Sequence, residues 1–590
     1  MLLATAFIAT TCLAAPQLNI EDVAPEQTVL VVSLDDMGAM LDRLKSMPAG
    51  DDLSFLDDMK EEMLDDLPDS MSDTWESALE DSSMDEILGS LQLGMAIYPV
   101  VDPETTAVTI GYTLYLNLGE AKESVGAIWD QAMEDAENKD SENFETIEIA
   151  ETDVIRIQTP PEEDEDDDPF GGGGMGMGMD FDSAGPDRYY LVRVDEHIMT
   201  SSSRSQMARM LDVLAGREID GGLGESDIWK GVTSYIGDEG LRMVVLTDHL
   251  GEFMQAFGQP FIVNMMKPMV VAMFGKIEAL GGSLQAAKEP ALASFKLGAW
   301  IPEGKSGLMK LMDRNTPREP IPGWVTAETV KYARLNFDFE GVLPWIKTVI
   351  NSNPMLAMQA GQFMEQVEPM MEKVMSGMGN MVQMTDSISY PINSESLNNL
   401  WSIPAKDPKA FTDAMAEIAP QMGFEARDFQ GHQIYSMDTG GMMGGMSGGL
   451  GEIAVAVGGG EIFMGTLPSV EQSLRSVGGR ASEDSAVAKK FATLVQMFSS
   501  DPVVYWSVAD MGAQMVAEAE VANMQWSTEL ERLQDEDPEL AGELAEMMGD
   551  EDELKLFRSL ADWIGLAGYE IMSVEDGFKG QGWILEAEEE

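Results

Sequence analysis

The chain has 590 residues, 44% of them hydrophobic, enough to bury substantial cores and to fill more than one domain. With 104 acidic against 36 basic residues its formal charge is −68, which argues against a nucleic-acid partner and against docking on an anionic membrane, since both rest on clustered Lys and Arg. Acidity spread along the whole length keeps a chain soluble and suits a salty or cation-rich medium.

The first residues, MLLATAFIATTCLAAPQ, carry a short apolar core followed by small residues around Ala14 and Ala15. This reads as a signal peptide over 1–15 and an exported mature protein: periplasmic, cell-surface or extracellular. Cys12 is the only cysteine, so the mature chain would have no disulfide, thiolate metal site or cysteine nucleophile. Thr11 in front of Cys12 disfavours a lipidation box.

A β-rich run ending in Asp, then Gly, then a helical pattern follows at VLVVSLDDMG (29–38). The same unit recurs at RMVVLTDHLG (242–251), ARLNFDFEG (333–341) and VVYWSVADMG (503–512). Asp35, Asp248, Asp338 and Asp510 are expected to be helix caps, because a strand-to-helix turn favours a side-chain acceptor there. A shared catalytic or metal cluster is the sharper alternative. Residues 55–91 read as acidic, Met-bearing helix. TLYLNLGEAKESVGAIWDQAM, from Thr113, reads as strand, turn and amphipathic helix.

After the strand TDVIRIQ come an acidic run, Glu162 to Asp168, and the Gly/Met stretch PFGGGGMGMGMDF. We expect loop 160–186 to be a flexible connection, since glycine has no Cβ with which to pack a core. Met175, Met177 and Met179 are soft enough for copper, and Asp164, Asp166 and Asp168 have the alternate spacing of a calcium loop. However, Pro169 stands where a calcium loop needs Gly, and Met175 where it needs Glu. DRYYLVRVDEHIMTSSSRSQMARMLDVL (187–214) is a hairpin turning at Asp195-Glu196, with a Ser/Thr cap opening a helix. The apolar stretch 261–280 is interrupted by Lys267 and Pro268; the uninterrupted run after them is too short to span a bilayer, and the stretch reads as a buried helix. FKLGAWI (295–301) is a strand.

The same order then repeats, with a boundary in the Pro- and Arg-containing passage 305–324. The second half has a Met-rich helical segment at 353–384, interrupted at Pro369 and expected to pack in a core, or else to line an apolar groove. NLWSIPAKDPKAFTDAMAEI and HQIYSMD follow, then a second Gly/Met loop at 438–451 with Met442, Met443 and Met446. The hairpin GEIAVAVGGGEIFMGTLPSVEQSLRSV (451–477) turns at Gly458 to Gly460, and FKGQGWI (578–584) matches FKLGAWI. The expected fold is therefore α+β, in two tandem homologous repeats, 16–304 and 325–590 around the linker 305–324. Each is a mixed or mostly antiparallel sheet covered by helices.

Gly445-Met446-Ser447-Gly448-Gly449 fits a serine-hydrolase elbow literally, but no strand-to-helix turn surrounds it. His197, His249 and His432 form no paired motif. No residue is singled out as catalytic, cofactor-binding or metal-binding, and no cofactor is implied.

The opening VAPEQTVLVVSLDDMGAMLDRL, the strand-helix SIPAKDPKAFTDAMAEI, GHQIYSMD and the hairpin IAVAVGGGEIFMGTLPSVEQSLRSV together resemble a broad family of exported bacterial proteins known only as a domain of unknown function. The resemblance implies an envelope or secreted location and no catalytic residues. The expectation is a non-catalytic interaction module for an unknown envelope or extracellular protein. The alternatives are a periplasmic carrier of an apolar ligand, or calcium or copper binding through the acidic and Met-rich loops.

Overall fold

Period-2 alternation and turn residues between the runs make strands of the β-rich segments. The computed structural model describes residues 18–35, 37–45, 89, 91–101, 108–139, 143–158, 188–217, 219–256, 260–393, 396–438, 452–477, 485–536, 558, 561 and 563–587. Residues 1–15, expected to be a signal peptide, the loops 160–186 and 439–451, the acidic run and most of 46–90 lie outside the described residues. The chain divides into two units: Met1–Lys267 with Ile277–Ala286 and Lys296–Pro302, and Pro268–Lys276 with Ala287–Phe295 and Glu303–Glu590.

The first unit contains β1 (Leu30–Leu34), β2 (Gln92–Val101), β3 (Val108–Asn117), β4 (Phe144–Ile149), β5 (Thr152–Gln158), β6 (Arg188–Val194), β7 (His197–Ser201), β8 (Leu241–Leu246) and β9 (Ala279–Ala286); β10 (Ala291–Trp300) pairs with β9. Its helices are α1 (Ile20–Val23), α2 (Met37–Lys45), α3 (Ser124–Lys139), α4 (Arg204–Leu214), α5 (Asp227–Ile236) and α6 (Leu250–Gln255), followed by α7 (Pro260–Phe274). The strands lie in the order β4-β5-β6-β7-β3-β2-β1-β8-β9, each antiparallel to its neighbours.

One face of this sheet carries Val31, Ala96, Tyr115, Met199 and Val244 into a core. It is closed by Met207, Met210 and Leu211 of α4, by Trp229, Val232 and Ile236 of α5, and by Ile20 and Val23 of α1. Ser203 caps α4 through the amide of Gln206, and Ser226 caps α5 through Trp229 N. The other face is also apolar. Register sets Leu280, Val245, Leu30, Ile97 and Tyr112 in one row, and Met243, Val32, Met95 and Leu114 in the next. Leu284, Leu241, Leu34, Leu93 and Leu116 make a third. α6 touches β2 and β3 there, and α2 touches β9, yet Met243 keeps 52% and Leu280 43% of their surface exposed.

The second unit has α8 (Gly307–Leu311), β11 (Thr329–Asn336), α9 (Val342–Ser352), α10 (Pro354–Ser376), β12 (Met381–Ile388), β13 (Leu397–Pro404), α11 (Pro408–Ile418), β14 (Glu425–Phe429), β15 (His432–Asp438), β16 (Glu452–Gly458), β17 (Glu461–Thr466) and α12 (Leu467–Ser476). α13 (Ala486–Lys490), α14 (Ala492–Met497), β18 (Tyr505–Asp510), α15 (Met511–Glu536), β19 (Ile564–Val574) and β20 (Gly577–Glu586) complete it. Its strand order is β14-β15-β16-β17-β13-β12-β11-β18-β19-β20, again antiparallel throughout. One face buries Tyr332, Leu400, Phe463 and Trp506 beneath Val470 and Leu474 of α12 and Phe491 and Leu494. On the other, Phe411 and Met415 of α11 cover Ile403 and Ile462, and Ala517 of α15 covers Val330 and Ile388.

Three expectations need correction. Residues 305–324, read as a linker from their Pro and Arg content, belong to the second unit, where Ile321 and Trp324 are buried. Lys305 there donates to Val574 O and pairs with Asp313 at 3.0 Å. Although burial raises the Asp313 carboxyl, hydrogen bonds from Ser573, Lys305 and Lys310 hold it below the usual range. The helix read as buried within 261–280 is α7, which takes in Lys267 and Pro268 and leaves Met266, Val270, Val271 and Phe274 exposed. The Met-rich segment is core only toward its end: α10 runs unbroken through Pro369 with Met355 and Met358 exposed and none of its described side chains fully buried, whereas Met378, just past it, is buried in the cluster of Phe411 and Ile403. A proline removes one backbone bond from a helix and need not end it.

A charged cavity in the first unit as the candidate functional site

In the strand LRMVVL, alternation turns Arg242, Val244 and Leu246 toward the core. A guanidinium placed there must be paired, because an isolated charge in that environment is far too costly. Arg242 is 3% exposed; its Nε donates to Ser33 Oγ at 2.9 Å. Its two terminal nitrogens lie 3.4 Å from Glu21 Oε1 and 3.4 Å from Asp35 Oδ2. Glu21 comes from α1, and Asp35 follows β1, where its backbone N–H donates to Gly240 O. Gly240 has φ +79°, and a Cβ there would stand 2.3 Å from Leu284 O, so the turn into β8 requires glycine.

These groups surround a cavity of about 640 Å³, lined also by Asp238, Glu239, Leu34, Leu241 and Leu284. Two carboxylates, those of Glu21 and Asp35, thus meet one guanidinium, and Asp238 and Glu239 stand exposed at the lining. Burial raises the Asp35 carboxyl above its ordinary range; Arg242 opposes this, while Glu21 and Asp238 reinforce it. Burial likewise raises the nearby Tyr115 phenol, with Asp35 and Glu21 adding to the effect. Glu21 Oε2 is buried and has no hydrogen-bond partner among the described residues.

The four strand-end aspartates do not come together within either unit. β1 and β8 are antiparallel neighbours, so Asp35 and Asp248 leave the sheet at opposite ends, as do Asp338 and Asp510 after β11 and β18. Asp338 caps through Glu340 N, and Asp510 through Ala513 N while pairing with Lys490. Asp248 is not the cap: His249 holds that position before α6 without a side-chain cap bond, and pairs with Glu252. Asp35 pairs with Arg242. Thr466 stands before α12 with its hydroxyl bonded to Asn398 and Ser469 rather than to a helix amide. His432 begins β15, where its Nδ1 lies 3.0 Å from Val457 O. The copper and calcium candidates and the Gly445 to Gly449 motif lie outside the described residues.

His197 opens β7 and is buried. Burial lowers its imidazole below the ordinary value of 6.5, with Glu196 and Asp195 pulling the other way. The folded state therefore binds this proton less tightly than the unfolded chain. The stabilisation that follows is complete above pH 6.5 and is lost as pH falls through the lower folded-state value. Thermal unfolding followed between about pH 7 and pH 5 should show a falling midpoint, with a shallower slope in His197→Gln.

In the second unit, Phe339, Leu343, Pro344 and Met375 line a cavity of about 530 Å³ beside α9 and α10. The pairs Lys347–Glu368 and Lys406–Glu340, each 2.5 Å, stand at its lining. The same unit holds a buried carboxylate, Glu570, paired with Arg318 and accepting from Ser499 N and Gln581 Nε2, each at 2.8 Å. Sequence reading missed Glu21, Arg242, Arg318 and Glu570. The available signal was a single charge at an inward position of an otherwise apolar strand, as in LRMVVL and GYEIMSV.

The chain matches no protein-family model, no curated protein and no solved structure at a significant level.

Proposed function

We propose that this is an exported, non-catalytic protein of two tandem homologous α+β repeats, acting as an interaction module for an envelope or extracellular protein. The repeat reading is supported by the order of strands, which is the same in both units from the hairpin edge through the central strand. The observation that carries the interaction reading is the second face of the first sheet. Three rows of Leu, Val, Ile, Met and Tyr cross its central strands with Met243 and Leu280 well exposed. Leu241, Met243 and Leu280 are exposed together on the adjacent strands β8 and β9, and an exposed apolar group of this kind marks a contact site more often than scattered residues do. The partner it fits presents an apolar surface, with basic groups at the rim to meet the acidic chain.

A photo-crosslinker at position 280, in cells, should capture one dominant protein, and capture should disappear in Met243→Asp while the unfolding midpoint stays near that of the parent. Capture unaffected by Met243→Asp, or no protein captured, overturns the reading. A second reading, carriage of an apolar ligand, is favoured by the cavity beside Met375. Organic extraction of the purified protein should then release a lipid-like compound, and an empty extract removes it.

A further inference from the structure

The geometry points to a socket on the apolar face of the first sheet: Gly282 is its floor, and it receives one bulky apolar side chain of the partner, carried between basic residues. This rests on the interaction reading of that face and names its anchor point. β9 turns Leu280, Gly282 and Leu284 to the same side, with Gly282 directly opposite Met243 of β8. On the far side lies Leu297 of β10, whose Cδ2 would stand 3.6 Å from a Cβ added at Gly282. Met243 is 52%, Leu280 43% and Leu297 37% exposed. Three apolar side chains therefore surround a position that has none.

Among the described residues nothing requires glycine there. Its φ is not positive, and an added Cβ would make only ordinary contact with Leu297 and with Lys296 O. The neighbouring glycines on the core side differ. A Cβ at Gly281 would come within 2.9 Å of Val232, and one at Gly298 within 3.0 Å of Tyr235, so α5 keeps both positions small. A glycine inside a strand weakens it, and where the chain's own packing gives no cause it marks close approach by another molecule. An anchor side chain seated at the centre of a contact carries much of the binding energy. Charge selects what flanks the anchor. Asp238 and Glu239 stand exposed before β8, and Asp248 after it, which favours lysine or arginine beside the anchor. It also disfavours a second copy of a chain with −68 charges.

Two lysine-flanked pentapeptides, one with tryptophan and one with alanine at the centre, test this by calorimetric titration into the full chain, in about 150 mM salt to screen general charge attraction. The tryptophan peptide should bind saturably at one site, about tenfold more tightly than the alanine peptide. Gly282→Val fills the socket and should abolish that difference, while the unfolding midpoint stays at or above that of the parent, because a β-branched residue suits a strand. Equal binding of the two peptides to the parent, or a preference that survives Gly282→Val, overturns the socket. In cells, capture by the crosslinker at position 280 should also disappear in Gly282→Val. Capture that survives this change leaves the face as a contact and overturns Gly282 as its anchor point. Peptide discrimination with no protein captured in cells supports the socket and overturns the envelope-partner reading.

Discussion

Arg242→Ala is expected to destabilise the first unit by about 3–5 kcal/mol, measured by chemical unfolding followed through tryptophan fluorescence. The change removes the only guanidinium between Glu21 and Asp35. It also deprives Ser33 Oγ of its donor and opens a space beneath β1. Two carboxylates then face each other in a partly buried site, and their mutual repulsion adds to the lost packing. Arg242→Lys should recover only part of the loss, because one ammonium cannot reach all three acceptors in the directions that a planar guanidinium does. Arg242→Met, combined with Glu21→Gln and Asp35→Asn, should come closer to the parent stability than Arg242→Ala, since no unpaired charge remains.

Glu570→Ala should have an effect of similar size, about 3–5 kcal/mol, on the second unit. Its carboxylate is fully buried, and its two oxygens serve Arg318, the amide of Ser499 and the amide nitrogen of Gln581. Without it, Arg318 retains its position over the Phe498 ring, 5.4 Å from the centroid, but loses its counter-charge, and two partly buried donors lose their acceptor. Glu570→Gln keeps the volume and one acceptor oxygen, and should fall between the parent and Glu570→Ala. If unfolding resolves two transitions, Glu570→Ala should move one and Arg242→Ala the other.

The sheets were legible because hairpins carry their own signals. Asp195-Glu196 and Gly458 to Gly460 sit between alternating runs, and the structure turns the chain at both places, with positive φ at Asp195, Gly459 and Gly460. Helix caps were readable in part: Ser203, Asp338 and Asp510 cap as expected, whereas His249 takes the place expected of Asp248 and Thr466 makes no cap bond. The charged cavity was not, because Arg242 meets Ser33 across 209 residues of sequence and no local pattern encodes such a pairing. The apolar character of both faces at β1 was visible in principle: VLVVSL is apolar at successive positions rather than at alternate ones, the mark of a strand flanked on both sides. Proline misled twice. Pro369 lies inside the unbroken α10, and around 305–324, where prolines suggest a linker, Ile321 and Trp324 are buried.

The placement of β1 between β2 and β8 has a consequence for how the chain is made. β1 is synthesised before both of its neighbours, and one of them is completed only some 200 residues later, as the 209-residue separation of Ser33 and Arg242 records. Until then one edge of the strand is open and the apolar residues on both its faces await cover. Contacts so distant in sequence slow folding and lengthen the time during which such surface is exposed. The second unit meets the same delay, with Asn336 and Val503 separated by 167 residues. A chain bearing −68 charges repels its own copies throughout that interval, so its acidity protects the nascent protein from aggregation as well as keeping the finished one in solution.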